Sequence, residues 1–382
     1  MHCAHDRSGT VWGAGWATIV LLLAVTPPRA EANGPKVPIL YSTDLHHPHI
    51  DPDDHFDLAM LFSMAEFDLR GIVLDCGAHQ AKAPGSIPVS QMLRLAGRKV
   101  PFAIGLEKPL ASPTDDGRRQ GAAFQDAVTM ILDVLRRSDR QVTIFTTGSG
   151  RDVAAAFNRD PELLRRKVDR LYVNAGDPAL AGPKRRNEYN VELDRQAYIR
   201  ILESGLPIYW CPCFDGGAGR RGSHGTYWRF TQRQVLDTAP GGLQNWFIYA
   251  LTKPQDVDPM DFLTMTPAPE VRKRLWGNGR NMWCTAPLLH AAGRQIYQRG
   301  PDDFVARQPQ RARQEGLADK AVEVYCFRPM RVRVEDAGGK LIALSVDLDP
   351  AEPNGLIFTA TDERYGRVLT SCLKDLFADL GR

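Results

Sequence analysis

Three observations in the sequence predict an α/β protein built on an open, mainly parallel (Rossmann-like) sheet with helices on both faces. Short apolar runs alternate with amphipathic helical stretches from about residue 36 onward. Several of these runs lack a polar face, as strands covered on both sides do. No internal repeat breaks the series, so a single domain over 33–382 is expected.

The elements follow in order. Residues 37–41 read as a first strand, and 57–65 (DLAMLFSMA) as a helix with a continuous apolar face. Residues 69–74, 100–104 and 141–146 read as the next strands, and 170–174 and 207–210 continue them. Helices are expected between them, at 121–137 and 194–203. The charged stretch 306–320 reads as an exposed connection. The tail returns to strands at 321–327, 330–335 and 341–347 and closes with a helix over 362–380. Crossovers in such a sheet are right-handed. Its ligand sits beyond the carboxyl ends of the strands, so the residues that follow each strand carry the functional reading.

Ahead of the first strand, Arg7 precedes an apolar run over 17–25 (ATIVLLLAV), and Ala30-Glu31-Ala32 follows. A charged start, a short apolar run and an A-x-A site describe a signal peptide over 1–32, and so a secreted or periplasmic protein. A membrane anchor needs ~20 apolar residues, more than this run supplies, and no stable membrane span is expected after cleavage. The chain of 382 residues is 43% hydrophobic and 24% charged, with a formal net charge of +3. That composition supports a sizeable core and argues against a nucleic-acid partner. Of seven cysteines, Cys3 would leave with the signal. The other six are widely and irregularly spaced, so no disulfide framework is predicted.

The first strand runs into Ser42-Thr43-Asp44, and Asp51-Pro52-Asp53-Asp54 follows before the helix. One aspartate would serve to cap that helix. Four carboxylates within eleven residues exceed that need and repel one another without a cation. Hard cations such as calcium take oxygen ligands of this kind, and a cation beside a carboxylate activates water.

Asp44 with Asp53-Asp54, then Leu58-Ala59-Met60-Leu61, resembles the N-terminal acidic motif of inosine-uridine-type nucleoside hydrolases, D-x-D-x-G-x-D-D. Later stretches are similar to that family in order and spacing: Gly71-Ile72-Val73, Val100 to Gly105 with Pro109-Leu110, Thr146-Thr147-Gly148, Asn187-Glu188-Tyr189-Asn190 with Asp194 and Ala197, and Glu203 to Ile208. The resemblance is clear over residues 36–215 and weak beyond them. It implies N-glycosidic hydrolysis of a ribonucleoside or related ribosyl compound by metal-activated water, with a tightly bound Ca2+. By the same resemblance Asp44, Asp54 and the Thr147 carbonyl would ligate the metal, and Asp44 would be the general base. Asp53 would hold ribose hydroxyls, and Glu188 and Asn190 the far end of the sugar. The implied partner is a small-molecule nucleoside, in a chain that would form a homo-oligomer or act alone.

The sequence departs from the family pattern at three places. Ser42 replaces the motif's first acid, and the loop from Asp44 to Asp53 is lengthened by His46-His47-Pro48-His49. The family's late His-Asp-Pro falls at Thr285-Ala286-Pro287, which removes a leaving-group acid and a further calcium ligand. Asp75, His79, Asp215, His224, the stretch 227–230 and Trp283 are candidate substitutes, and the histidine insert would suit a softer metal such as zinc. Two alternatives stay open: a nucleoside- or sugar-binding protein without turnover, and a hydrolase of another glycoside.

Overall fold

The computed structural model describes residues 34–178, 187–215, 221–267, 269–336, 342–378 and 380. The expected signal peptide lies outside these described residues. Fourteen strands occur among them: β1 Val37–Thr43, β2 Phe67–Leu74, β3 Phe102–Ile104, β4 Val142–Thr146, β5 Val168–Val173, β6 Ile208–Trp210, β7 Trp228–Thr231, β8 Gly279–Met282, β9 Gln295–Gly300, β10 Asp303–Arg307, β11 Ala321–Val322, β12 Tyr325–Asp336, β13 Ile342–Leu348 and β14 Gly355–Ala360.

Nine of them form one sheet in the order β13-β12-β14-β6-β5-β4-β1-β2-β3. All neighbours pair in parallel except those of β12, which runs against both β13 and β14. The sheet is the mainly parallel one expected, with helices on both faces. Its strands are buried on both sides because successive residues point opposite ways. Ile39 and Tyr41 pack in one apolar core while Leu40 packs in the other, and Phe145 and Ile144 divide in the same manner. The described residues form one compact unit. No helix among the described residues is long and apolar enough to cross a membrane.

From β1 the chain builds β2 and β3 on one side, then crosses over to build β4, β5 and β6 on the other. The order therefore reverses between β1 and β4, and the crevice beyond the carboxyl ends of strands at such a switch is the natural ligand site. Asp44 follows β1 and Thr147 follows β4. Their strands are in register, with Ser42 opposite Thr146 and the Thr147 amide donating to the Ser42 carbonyl at 2.8 Å.

Two expectations for the tail need correction. β14 was not anticipated; it inserts between β6 and β12 and joins the tail to the parallel sheet. The stretch 306–320 is not simply exposed. Ala306, Ala312 and Leu317 are buried, and residues Pro309–Gln314 form a short helix. Arg307 is buried too, because its guanidinium pairs with Glu315 at 3.0 Å and Asp375 at 2.5 Å. Ion pairing at both ends lets a charged run lie against the core.

Candidate functional site

One pocket opens at the β1/β4 switch. Asp44, Asp53, Asp54, Thr147, Glu188 and Asn190 all line it, so the structure brings together the six residues to which the resemblance gave roles. Asp51, Asn174, His46, Cys213, Phe214 and Trp283 complete much of the wall.

Asp53 and Asp54 open the helix Asp53–Ser63, whose N-cap is Pro52, with no side-chain capping bond. The cluster is therefore not a set of helix caps. Asp51 pairs with Arg280 at 2.5 Å. Asp54 is held instead by hydroxyls: Thr43 donates to its Oδ1 at 2.5 Å and Thr147 at 2.7 Å, with the Tyr41 hydroxyl at 3.3 Å. Asp44 and Asp54 share the pocket wall, and the charge of Asp54 acts on the Asp44 carboxyl.

Burial raises the Asp44 carboxyl well above its ordinary range, and the charges of Asp54, Asp75 and Asp53 add to the effect. Burial, then Asp54 and Asp51, do the same to Asp53. Asp57, one turn along the helix, is raised by burial and by Asp54. Burial raises Asp54 as well, though the Thr43 and Thr147 hydroxyls oppose the shift. No lysine or arginine is among the described lining residues. An acid-rich pocket without a cationic side chain is arranged to receive a cation.

Glu188 caps the short helix Tyr189–Leu193. It accepts the Asn190 amide at 3.0 Å and the Gly176 amide at 2.8 Å, so its carboxyl is fixed by backbone before any ligand arrives. The Asn190 amide donates to the Asn174 carbonyl at 2.9 Å and, more distantly, to the Thr147 carbonyl at 3.4 Å. Among the described residues nothing donates to the Asn190 Oδ1. Gly148 follows Thr147 where the chain comes closest to Asp44. A Cβ there would lie 2.7 Å from Asp75 Oδ2 and 3.0 Å from the Asp44 amide nitrogen.

The suggested substitutes divide. Trp283 does line the pocket. Asp75 does not: it accepts the Ser149 amide at 2.5 Å and the Ser149 hydroxyl at 2.8 Å, which ties the turn after β4 to the end of β2. Asp215 accepts the His224 amide, and the His224 ring meets the Phe358 carbonyl and Thr359 hydroxyl, so both hold loops together. Trp228 and Phe230 belong to the core. Thr285 and Ala286 open the helix Thr285–Ala291 and are fully buried behind Trp283 in sequence, outside the pocket wall.

The histidine insert does not converge on a metal. His46 packs on His79 with centroids 4.2 Å apart, His47 stacks on Tyr249 at 5.0 Å, and His49 meets His55 at 5.5 Å. Among the described residues no group of three or more His, Cys, Asp or Glu side chains is placed to hold a metal ion. The six cysteines outside the first segment are free thiols.

These shifts set a stability profile. Burial and Lys253 bring His47 and His49 down to about 4, so they charge only at acid pH and cost stability there. The carboxyls act oppositely. Their folded pKa lies above the unfolded one, so the folded state binds more protons and stability falls as pH rises through that window. Above about 7.5, one unit beyond the unfolded value, histidines are neutral in both states and the carboxyl effect stands alone. Without divalent cations the Tm should therefore fall as the pH rises above about 7.5, and millimolar calcium should flatten that slope. A flat profile in chelator would count against a strained acid cluster.

The sequence profile described as "Inosine-uridine preferring nucleoside hydrolase" matches residues 41–235. Pyrimidine-specific ribonucleoside hydrolase RihA of Citrobacter koseri is 28% identical over 189 residues, which are 45% of this chain and 58% of that protein. RihA of an Escherichia coli strain is 29% identical over 189 residues, with the same 45% and 58% shares. The match thus spans 58% of the length of either curated relative. Among solved structures, the plant nucleoside hydrolase PpNRh1 is similar with a TM-score of 0.54 and 14% identity, over 90% of this chain and 100% of that one. An inosine-guanosine nucleoside hydrolase is similar with a TM-score of 0.51 and 16% identity, over 89% and 98%. At these identities the structural likeness speaks to the fold alone.

Proposed function

The chain belongs to the inosine-uridine preferring nucleoside hydrolase family, and from that membership we propose that it hydrolyses the N-glycosidic bond of a ribonucleoside or related ribosyl compound. The observation that carries this reading is the convergence of Asp44, Asp53, Asp54, Thr147, Glu188 and Asn190 on one pocket at the β1/β4 switch.

Asp44, a carboxylate on the pocket wall, takes the proton of the attacking water. Asp53 binds ribose hydroxyls. Glu188, already fixed by two backbone amides, and the side chain of Asn190 bind the far end of the sugar. As the C1′–N bond opens, positive charge grows on the sugar, and the surrounding carboxylates stabilise it.

Asp44, Asp54 and the Thr147 carbonyl would hold a divalent cation, which we assign as calcium. The donor set fits: hard oxygens, with two carboxyls on one pocket wall, both shifted upward by burial. With two carboxylates rather than three, affinity should be modest, since ligand charge sets it. Such a cation, when bound, supplies Lewis acidity that lowers the pKa of water and offsets the charge of the carboxylates.

We further propose export, on the apolar run at 17–25 and the A-x-A site at 30–32. The test is one experiment: the mature form, recovered from the secreted or periplasmic fraction with its N-terminus near residue 33, is assayed on purine and pyrimidine nucleosides with calcium and with chelator. Calcium-dependent release of base is the expected result. An intact precursor in the cytosol would overturn the export reading. Silence across the panel, with a folded protein whose Tm rises on adding nucleoside, would replace hydrolysis by binding without turnover. The placement of Thr285 and Ala286 in the core favours that second reading.

A further inference from the structure

The outer wall of the pocket is aromatic in a particular way. Phe214 and Trp283 line it, and Tyr227 packs against both. Centroids lie 5.6 Å apart for Phe214–Tyr227, 5.9 Å for Phe214–Trp283 and 5.6 Å for Tyr227–Trp283, with planes inclined at 32°, 81° and 53°. Rings so inclined are not one stack. They form a corner of π-faces, and such faces attract a positive charge as well as a flat ring.

The pocket is graded in depth. Asp54 is 8% exposed and Thr147 5%, whereas Phe214 is 36% exposed and Tyr189 54%. A ribosyl group seated on the inner acids therefore directs whatever is bonded to its C1′ outward, toward the rings. Asp51 is neutralised by Arg280, but Asp53 and Glu188 have no cationic side chain beside them in the described lining. With a divalent cation offsetting Asp44 and Asp54, Asp53 and Glu188 remain as further acids of the described lining.

We propose that the preferred substrate carries a cationic aromatic heterocycle as its leaving group, an N-ribosyl pyridinium or N-alkyl purinium, seated in the Phe214–Tyr227–Trp283 corner; this rests on the hydrolase reading above. The chemistry balances without a leaving-group acid. The C1′–N bond breaks and its electron pair passes to the ring nitrogen, cancelling the ring's positive charge. The water oxygen bonds to C1′, and its surplus proton goes to a pocket carboxylate and then to solvent. The products are free ribose, a neutral heterocycle and a proton. A neutral nucleoside must instead expel an anion or receive a proton, a step worth ~10²–10⁴ in rate. Thr285 and Ala286, where the sequence pattern places that acid, are not in the wall. Loss of the positive charge on cleavage also weakens the hold of the corner on the product.

Binding is read first. 1-Methylnicotinamide and nicotinamide differ by one methyl group and one charge, and NMR titration of the calcium-loaded protein gives both affinities. The cation should bind at least ~10-fold tighter. That ratio should fall toward unity in Trp283→Leu and in Phe214→Leu, the latter at a half-exposed site where folding is not at risk. Equal affinities in the wild type, or a ratio unmoved in both variants, would overturn the proposal. Turnover then separates it from the reading it rests on. Uridine and inosine hydrolysed with higher kcat/KM than nicotinamide riboside would overturn the cationic substrate and leave the hydrolase. No turnover of any of the three would overturn the hydrolase, even with the cation preference intact.

Discussion

Asp54→Asn should abolish turnover and the calcium-dependent rise in Tm while leaving the fold intact. The side chain keeps its shape, and its amide oxygen still accepts from Thr43 and Thr147, which hold Asp54 at 2.5 and 2.7 Å. What disappears is one of two carboxylates facing a shared site. Ligand charge sets the affinity for hard cations, and without the cation the Lewis acidity that would lower the pKa of water is lost. The folded state should not suffer. The Asp54 charge is the largest neighbour pushing the Asp44 and Asp53 carboxyls upward. Without that charge, and without a cation, the variant should be at least as stable as the wild type above pH 6.5. Function and stability thus move in opposite directions. A variant with wild-type turnover and an undiminished calcium response would remove Asp54 from the site.

The inner half of this site was legible because it is local. Asp44, Asp53 and Asp54 sit within eleven residues that bridge one strand and one helix, and repulsion among close carboxylates is visible without coordinates. Glu188 and Asn190 needed the family's order of motifs, since nothing in their own neighbourhood shows that β5 and the helix Tyr189–Leu193 bring them to β1. Asn174 was within reach: it closes the strand-like run RLYVN, at the carboxyl end where ligands bind, yet one amide carries no electrostatic signal. Arg280, the partner of Asp51 from 229 positions away, had none at all.

The outer half was not legible, for a related reason. Periodicity identifies an aromatic side chain as apolar and says nothing of which cavity it faces. Trp228 and Phe230 looked as exposed to a ligand as Tyr227 did, but they point into the core. The tail failed differently. β14 contains the run GLIFTA, which reads as a strand once it is seen beside β6, and the antiparallel β12 follows from the pairing that β14 imposes. Asp75 shows the converse error. A carboxylate after a strand looked like a sugar ligand, and its two oxygens are spent on Ser149 and Cys76.

Asp194 shows the same ambiguity at greater cost, and Asp194→Ala should destabilise the fold more than any change in the pocket. The carboxylate is fully buried and pairs with the buried Arg151 at 3.0 Å. It also accepts the Leu110 amide at 2.8 Å and caps its own helix through the Ala197 amide at 3.0 Å. Arg151 in turn donates to the Leu106 carbonyl at 3.0 Å and the Leu193 carbonyl at 2.9 Å. One ion pair therefore joins the loop after β3, the helix after β4 and the helix Arg195–Leu202. Removing one partner strands a charge in a dry interior, which costs about 3–5 kcal/mol, a fall in Tm of roughly 4–7 °C for a chain of this size. Arg151→Met should cost a similar amount by stranding the carboxylate. In the double variant no charge is stranded, so its loss should be clearly smaller than the sum of the two, a coupling of ~0.5–3 kcal/mol or more in a double-mutant cycle. Full recovery is not expected, because the carbonyls and amides that the pair satisfied are then left without partners. Thr147 lies four residues before Arg151 on the same turn, so the single variants should also bind calcium more weakly. Strictly additive losses would show that the pair acts as two independent sets of backbone bonds rather than as one buried tie.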